Sequence, residues 1–169
     1  TGTVKPHRGR HERGKLLRSG TYVLRDAKQR HEGTESFALY EKPGGGVVAH
    51  SVIARHDGTS VETWAWDRYI EVTHRSGAGM TRTRVRRDGD KWALVSRGKS
   101  GIVEQVIAAP GAFIAPATIT YAWARNASTA YVVPERGVGA VSAVHARVAE
   151  GDVPAFVKLA DGSTRTLVK

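Results

Sequence analysis

Val61-Glu-Thr-Trp64-Ala-Trp66-Asp67, Arg68-Tyr69-Ile-Glu-Val-Thr-His74-Arg75, Met80-Thr-Arg82-Thr-Arg84-Val85-Arg86-Arg87, Asp88-Gly89, Asp90-Lys91-Trp92-Ala-Leu94-Val95-Ser-Arg97: this stretch decides the fold. Side chains alternate through nearly all of it with the period of two that a pleated strand imposes. Asp88-Gly89 lies between two such runs, and Asp-Gly favours the two-residue turn in which both central residues take positive φ. A turn there predicts Arg87 opposite Asp90, Val85 opposite Trp92 and Thr83 opposite Leu94. That face is largely apolar. The opposite face carries Arg82, Arg84, Arg86 and Lys91, interrupted only by Ala93 and Val95.

Working outward, the same rhythm continues on both sides. Residues 20–66 read as short strands, Thr21–Arg25, Thr34–Glu41, Val47–His56 and Ser60–Trp66, divided by Asp26–Arg30, Pro43-Gly44-Gly45-Gly46 and Asp57-Gly58. Beyond Arg97 come Ile102–Ala108, Ala117–Arg125, Thr129–Val133, Gly139–Val148, Ala155–Leu159 and Thr164–Val168, the last two joined by Asp161-Gly162. Glycine, proline and Asp-Gly pairs punctuate the chain every ~8–12 residues, as in all-β meanders, barrels and sandwiches. Short links favour antiparallel neighbours, since parallel pairing needs long crossovers. The expected fold is all-β, an antiparallel meander forming a single barrel or half-barrel. Brief helices have room only near Asp26–Arg30 or Pro110–Ile114. Residues 1–19, with Lys5, Arg8, Arg10, Arg13, Lys15 and Arg18 offset by Glu12 alone, read as a flexible basic arm; residues 20–169 read as one β domain.

Composition narrows function less. The 169 residues suffice for one domain with a buried core. A net charge of +10 predicts attraction to polyanions: nucleic acid, anionic headgroups or acidic polysaccharide. The absence of cysteine excludes disulfides, thiolate metal sites and cysteine nucleophiles together. No run approaches the ~18–20 apolar residues of a membrane-spanning helix. The chain opens on Thr1 rather than Met, which suits a removed signal peptide or a trimmed chain alike.

Catalytic patterns fail on context. Ser96-Arg-Gly-Lys99 has the spacing of a Ser-x-x-Lys site, but that chemistry needs a helix to bring the lysine beside the serine, and here a strand ends. Gly137-Val-Gly139 lacks the third glycine and the helix of a dinucleotide site. His31, His50, His56, His74 and His145 are scattered singly, and His7 with His11 would chelate only on a helix. No catalytic residue, cofactor or metal site is expected, and a non-enzymatic role is favoured. The aromatics carry more: Trp64 with Trp66, Tyr121 with Trp123, and Trp92 read either as core or as the lining of an apolar ligand cavity.

Gly20-Thr-Tyr-Val-Leu24, Glu32-Gly-Thr-Glu-Ser-Phe-Ala-Leu-Tyr40, the strand ending at Asp57-Gly58 and the later Asp88-Gly89 together resemble bacterial envelope proteins of the LolA-like fold, over about Gly20 to Trp123. That resemblance rests on turn order and strand rhythm. It implies a long antiparallel sheet curled round a hydrophobic groove, and binding of lipoproteins, lipids or glycolipids in the periplasm. It brings no catalytic residues. The basic arm and the high charge depart from the carrier pattern.

The leading expectation is therefore a carrier or binding protein of the cell envelope for an amphipathic lipid or glycolipid. Its apolar part would lie on Trp64, Trp66, Trp92, Tyr121 and Trp123, and its anionic headgroup, or an anionic membrane surface, on Arg82, Arg84, Arg86 and Lys91. The alternative is a cytoplasmic nucleic-acid-binding β domain that stacks bases on exposed aromatics while the arginine row tracks the backbone.

Overall fold

The computed structural model describes residues 14–66, 68–108, 113–114, 129–132, 142–147, 153–159 and 161–168. The strands are β1 (Leu16–Arg25), β2 (His31–Glu41), β3 (Val47–Arg55), β4 (Ser60–Trp66), β5 (Tyr69–Ser76), β6 (Gly79–Asp88), β7 (Lys91–Gly98), β8 (Gly101–Ala108), β9 (Phe113–Ile114), β10 (Thr129–Val132), β11 (Ser142–Arg147), β12 (Phe156–Lys158) and β13 (Thr164–Leu167). Among the described residues there is no helix. The segment Asp26–Arg30 forms a hairpin turn instead, closed by Asp26 N donating to Arg30 O and Gln29 N to Asp26 O. Residues 1–13, and the expected strand bearing Tyr121 and Trp123, lie outside the described residues.

All the strands share one sheet in the order β8-β7-β6-β5-β4-β3-β2-β1-β13-β12-β11-β10-β9. The first eight make an uninterrupted antiparallel meander. The C-terminal strands return to the other side of β1, where Tyr22 faces Leu167 and Leu24 faces Arg165. The sheet is open, so the architecture is the half-barrel rather than the closed barrel. One pair, β9 with β10, is parallel, and the chain between them is long enough for the crossover that parallel pairing requires.

Two details differ from the sequence reading. Strand β1 begins at Leu16, so Leu16–Ser19 belong to the sheet rather than to the arm; their partners run from Tyr40 to Ala38. The central hairpin is also displaced. Its turn residues are Gly89 and Asp90, with Asp88 opposite Lys91, Arg87 opposite Trp92 and Val85 opposite Leu94. Gly89 alone takes positive φ (64°), the requirement of a Gly-X turn rather than an Asp-Gly one. The displacement changes each partner by two residues, and two is the side-chain period, so both faces keep the expected membership.

The inner face holds the core. Reading across the register, Tyr22, Glu35, Ile53, Val61 and His74 form one row. Phe37, Ser51, Thr63, Val72, Thr83 and Ser96 form the next, and Leu39, Ala49, Ala65, Ile70, Val85 and Leu94 the third. Every one of these residues is buried. Each large apolar side chain here contributes ~1.5–3 kcal/mol. Gly33 is needed where β2 meets β3: a Cβ there would run into the carbonyl oxygen of Ala54 and the Cα of Arg55.

Two features of this core are polar. Arg165 Nη1 donates to Glu35 Oε1 at 2.8 Å with both side chains almost wholly out of solvent. The middle row carries four hydroxyls; Thr83 and Ser96 bond each other at 3.2 Å, whereas Ser51 Oγ and Thr63 Oγ1 have no partner among the described residues.

Candidate functional site

The meander sorts the expected site residues by parity, and the sorting corrects the grouping of the tryptophans. Trp92 belongs to the inner face: it lies opposite Arg87, is 2 % exposed, and has the Arg87 guanidinium 5.5 Å from its ring centre. It is a core residue. Trp64 and Trp66 point the other way. Trp64 pairs with His50 on one side and Glu71 on the other, Glu71 pairs with Arg84, and Arg84 with Val95. Trp66 pairs with Tyr69, and Tyr69 with Arg86. The apolar surface expected to hold Trp64, Trp66 and Trp92 together is thus divided. The outer face instead joins Trp64 and Trp66 to Arg82, Arg84 and Arg86.

On that outer face the rings form a continuous array. His50 stacks on Trp64 with centroids 4.0 Å apart, Trp64 on Trp66 at 6.2 Å, and Trp66 meets Tyr69 at 5.4 Å. Carboxylates fix both ends. His50 Nε2 lies 2.8 Å from Glu62 Oε2, and the Tyr69 hydroxyl donates to Glu71 Oε2 at 2.8 Å. Tyr69 is half-buried; that burial, with the charge of Glu71 and the hydrogen bond to it, holds the phenol protonated well above its usual range. Arg84 and Arg86 oppose this shift, which places them in electrostatic reach of the ring.

Beside this array runs the arginine row of β6, each member projecting to the same side at the ~7 Å repeat of alternate strand residues. Arg82 lies between Thr73 and Arg97, Arg84 between Glu71 and Val95, Arg86 between Tyr69 and Ala93. Lys91 is exposed at the hairpin end of the same face. Three donors of this surface, Trp66 Nε1, Arg82 Nε and Arg84 Nε, are buried with no acceptor among the described residues. Buried donors without acceptors cost ~1–3 kcal/mol each. Exposed aliphatic side chains flank the row: Met80 at 47 %, Ile102 at 59 % and Val106 at 67 %. In their register positions Ile102 follows Arg97, and Val106 follows Ala93. One face therefore carries rings, guanidinium groups and aliphatic side chains side by side, with Trp64 buried and Trp66 and Tyr69 half-buried.

Away from this face, a concavity of about 470 Å³ opens where three hairpin turns converge. Arg25, Arg55, His74 and Arg165 line it along with Asp26, Glu32, Asp57 and Asp161. Its charges are largely satisfied internally: Arg55 Nε binds Glu32 at 2.6 Å, and Arg165 binds Glu35. Asp57 Oδ1 accepts from the hydroxyl and backbone N–H of Thr59, which holds its carboxyl below the usual range.

Counting residues through the Asp67-Arg68 link places Trp66 opposite Tyr69, so the outer array has a sequence signal; His50 reads in the sequence only as one scattered histidine, and nothing there marks Tyr69 or Glu71. Comparison of the chain with protein-family models, with curated proteins and with solved structures gives no match, and the site is read from its own geometry.

Proposed function

We propose that the chain is a non-enzymatic binding protein for an amphipathic, anionic lipid or glycolipid, and that the outer face of β3–β8 holds it. The observation that carries this reading is the common face of Trp64, Trp66 and Tyr69 with Arg82, Arg84 and Arg86. A ligand with an apolar or ring-shaped part and a phosphate or carboxylate can lie on the rings and on Met80, Ile102 and Val106 while its charge meets the guanidinium fork. The same surface suits docking on an anionic bilayer, where each Lys or Arg near the headgroups contributes ~1 kcal/mol. On the resemblance of its turn order to LolA-like envelope proteins, the cell envelope is the proposed compartment. The inner face, filled by its own side chains, is not the surface assigned to the ligand.

The stacked order of His50, Trp64, Trp66 and Tyr69 favours a second reading, single-stranded nucleic acid in a cytoplasmic protein, with bases on the rings and phosphates on the arginines. One experiment separates the two. Vesicles of phosphatidylcholine with and without phosphatidylglycerol are sedimented with the protein, and a labelled oligonucleotide is titrated at 50 and 200 mM salt. The lipid reading expects co-sedimentation with the anionic vesicles alone, weakened at least tenfold by Trp66→Ala or by Arg84→Ala with Arg86→Ala. Oligonucleotide binding that falls steeply with salt, without vesicle binding, selects the second reading. Binding of neither discards both.

A further inference from the structure

His31 and His56 are separated by 25 residues and share no sequence motif, yet they meet at the open end of the β2–β3 hairpin, beside the turns that lead into β2 and out of β3. His31 Nδ1 and His56 Nε2 lie 3.2 Å apart, with ring centroids at 4.6 Å and planes at 80°. Both residues are exposed. Their backbones are held firmly. His31 opens β2 opposite Arg25, and His56 N donates to Glu32 O at 3.0 Å. Between them the Arg55 to Glu32 ion pair ties β3 to β2, and Asp57 is occupied by Thr59.

We infer that His31 and His56 form a two-imidazole chelate for a divalent transition ion such as Zn²⁺. Imidazole nitrogens bind Zn²⁺ at ~2.0–2.1 Å, and two of them at a tetrahedral angle stand roughly 3.3 Å apart. The observed separation of 3.2 Å, now spanned by a hydrogen bond between the rings, is close to that value. Only the ring torsions need change, so that both lone pairs converge on the ion instead of one N–H pointing at the other nitrogen. Each neutral ring then keeps its proton on the far nitrogen, and water completes the coordination. The ring pair favours borderline ions, because imidazole suits zinc, copper and nickel whereas magnesium and calcium prefer oxygen.

The surrounding charges set the affinity. Arg25 stands across the strand from His31, and Arg30 precedes it; Arg30 is neutralised by Asp26 at 2.8 Å, and Arg55 by Glu32. Asp57, next to His56, supplies the nearby negative charge. With two protein ligands the site is weaker than a structural one, which takes four.

The test is calorimetric titration of the full chain with Zn²⁺ at pH 7.5. The expected result is one equivalent bound. His31→Ala and His56→Ala should each weaken binding at least tenfold. A variant with His7→Ala and His11→Ala should bind as the parent chain does, which separates this pair from the histidines of the arm. In the unsubstituted protein, the imidazole nitrogens of residues 31 and 56 should shift on adding Zn²⁺, an outcome independent of how any variant folds. No heat at about 100 μM Zn²⁺ overturns the assignment. So does binding that survives both single substitutions, or that disappears only with His7 and His11.

Discussion

The Glu35–Arg165 pair joins the two ends of the chain, and its removal should show how. Glu35 on β2 and Arg165 on β13 lie on either side of β1, two strand spacings apart and offset by two residues along the strand, and their side chains meet on the inner face. At 2.8 Å the attraction is about 6 kcal/mol with an effective dielectric of ~20. Desolvating two ions costs several kcal/mol each, so the intact pair comes close to break-even. Removing one member is different, because it takes the 2.8 Å ionic partner from a charge that stays buried. Glu35→Leu is expected to cost ~3–5 kcal/mol, and Arg165→Met a similar amount. The double substitution should recover most of the loss, since an apolar pair of similar volume pays no ionic desolvation. Urea unfolding followed by tryptophan fluorescence reads this directly: at ~2 kcal/mol per molar, a loss of ~4 kcal/mol moves the midpoint by about 2 M. If the two single losses simply add in the double variant, the reasoning about the buried charge is refuted. A Glu35→Leu loss below ~1 kcal/mol would refute it equally.

Three further outcomes test other parts of the structure. Gln29 holds φ at 65° in a turn position where glycine is at ease, so Gln29→Gly should raise stability by about 1 kcal/mol in thermal or urea unfolding; a loss instead would show that its side chain matters more than its backbone. Thr63→Val removes a buried hydroxyl without a partner among the described residues and should stabilise by ~1 kcal/mol, whereas destabilisation would reveal a polar contact for that oxygen. The Tyr69 phenol has its ionisation raised in the folded protein above the unfolded value near 10; its contribution is thus complete below pH 10 and is lost progressively above it. Tyr69→Phe should flatten that alkaline decline, and spectrophotometric titration of the parent should show one tyrosine ionising only with unfolding.

The faces of the sheet were open to simple counting. A two-residue link at Asp67-Arg68 sets Trp66 opposite Tyr69, and a link centred on Gly77-Ala78 sets Glu71 opposite Arg84. Parity then puts Trp64 with the arginines and Trp92 with Val85, whatever the details of the central turn. Grouping the tryptophans by hydrophobicity gave the wrong partition, because an aromatic ring is at home on either side of a sheet. Hydrophobicity describes a residue, whereas the side it faces is set by its position in the alternation.

Alternation, which is local, was enough for the strands of the β2–β8 meander and for the arginine row: each depends on neighbours a few residues away. The pairing of β13 with β1 depended on tertiary structure, as did the burial of Glu35 against Arg165 across 130 residues of chain. So did the approach of His31 to His56 and the openness of the sheet. These follow from which edges find each other in space and how far the sheet curls, and no local pattern of side chains encodes either.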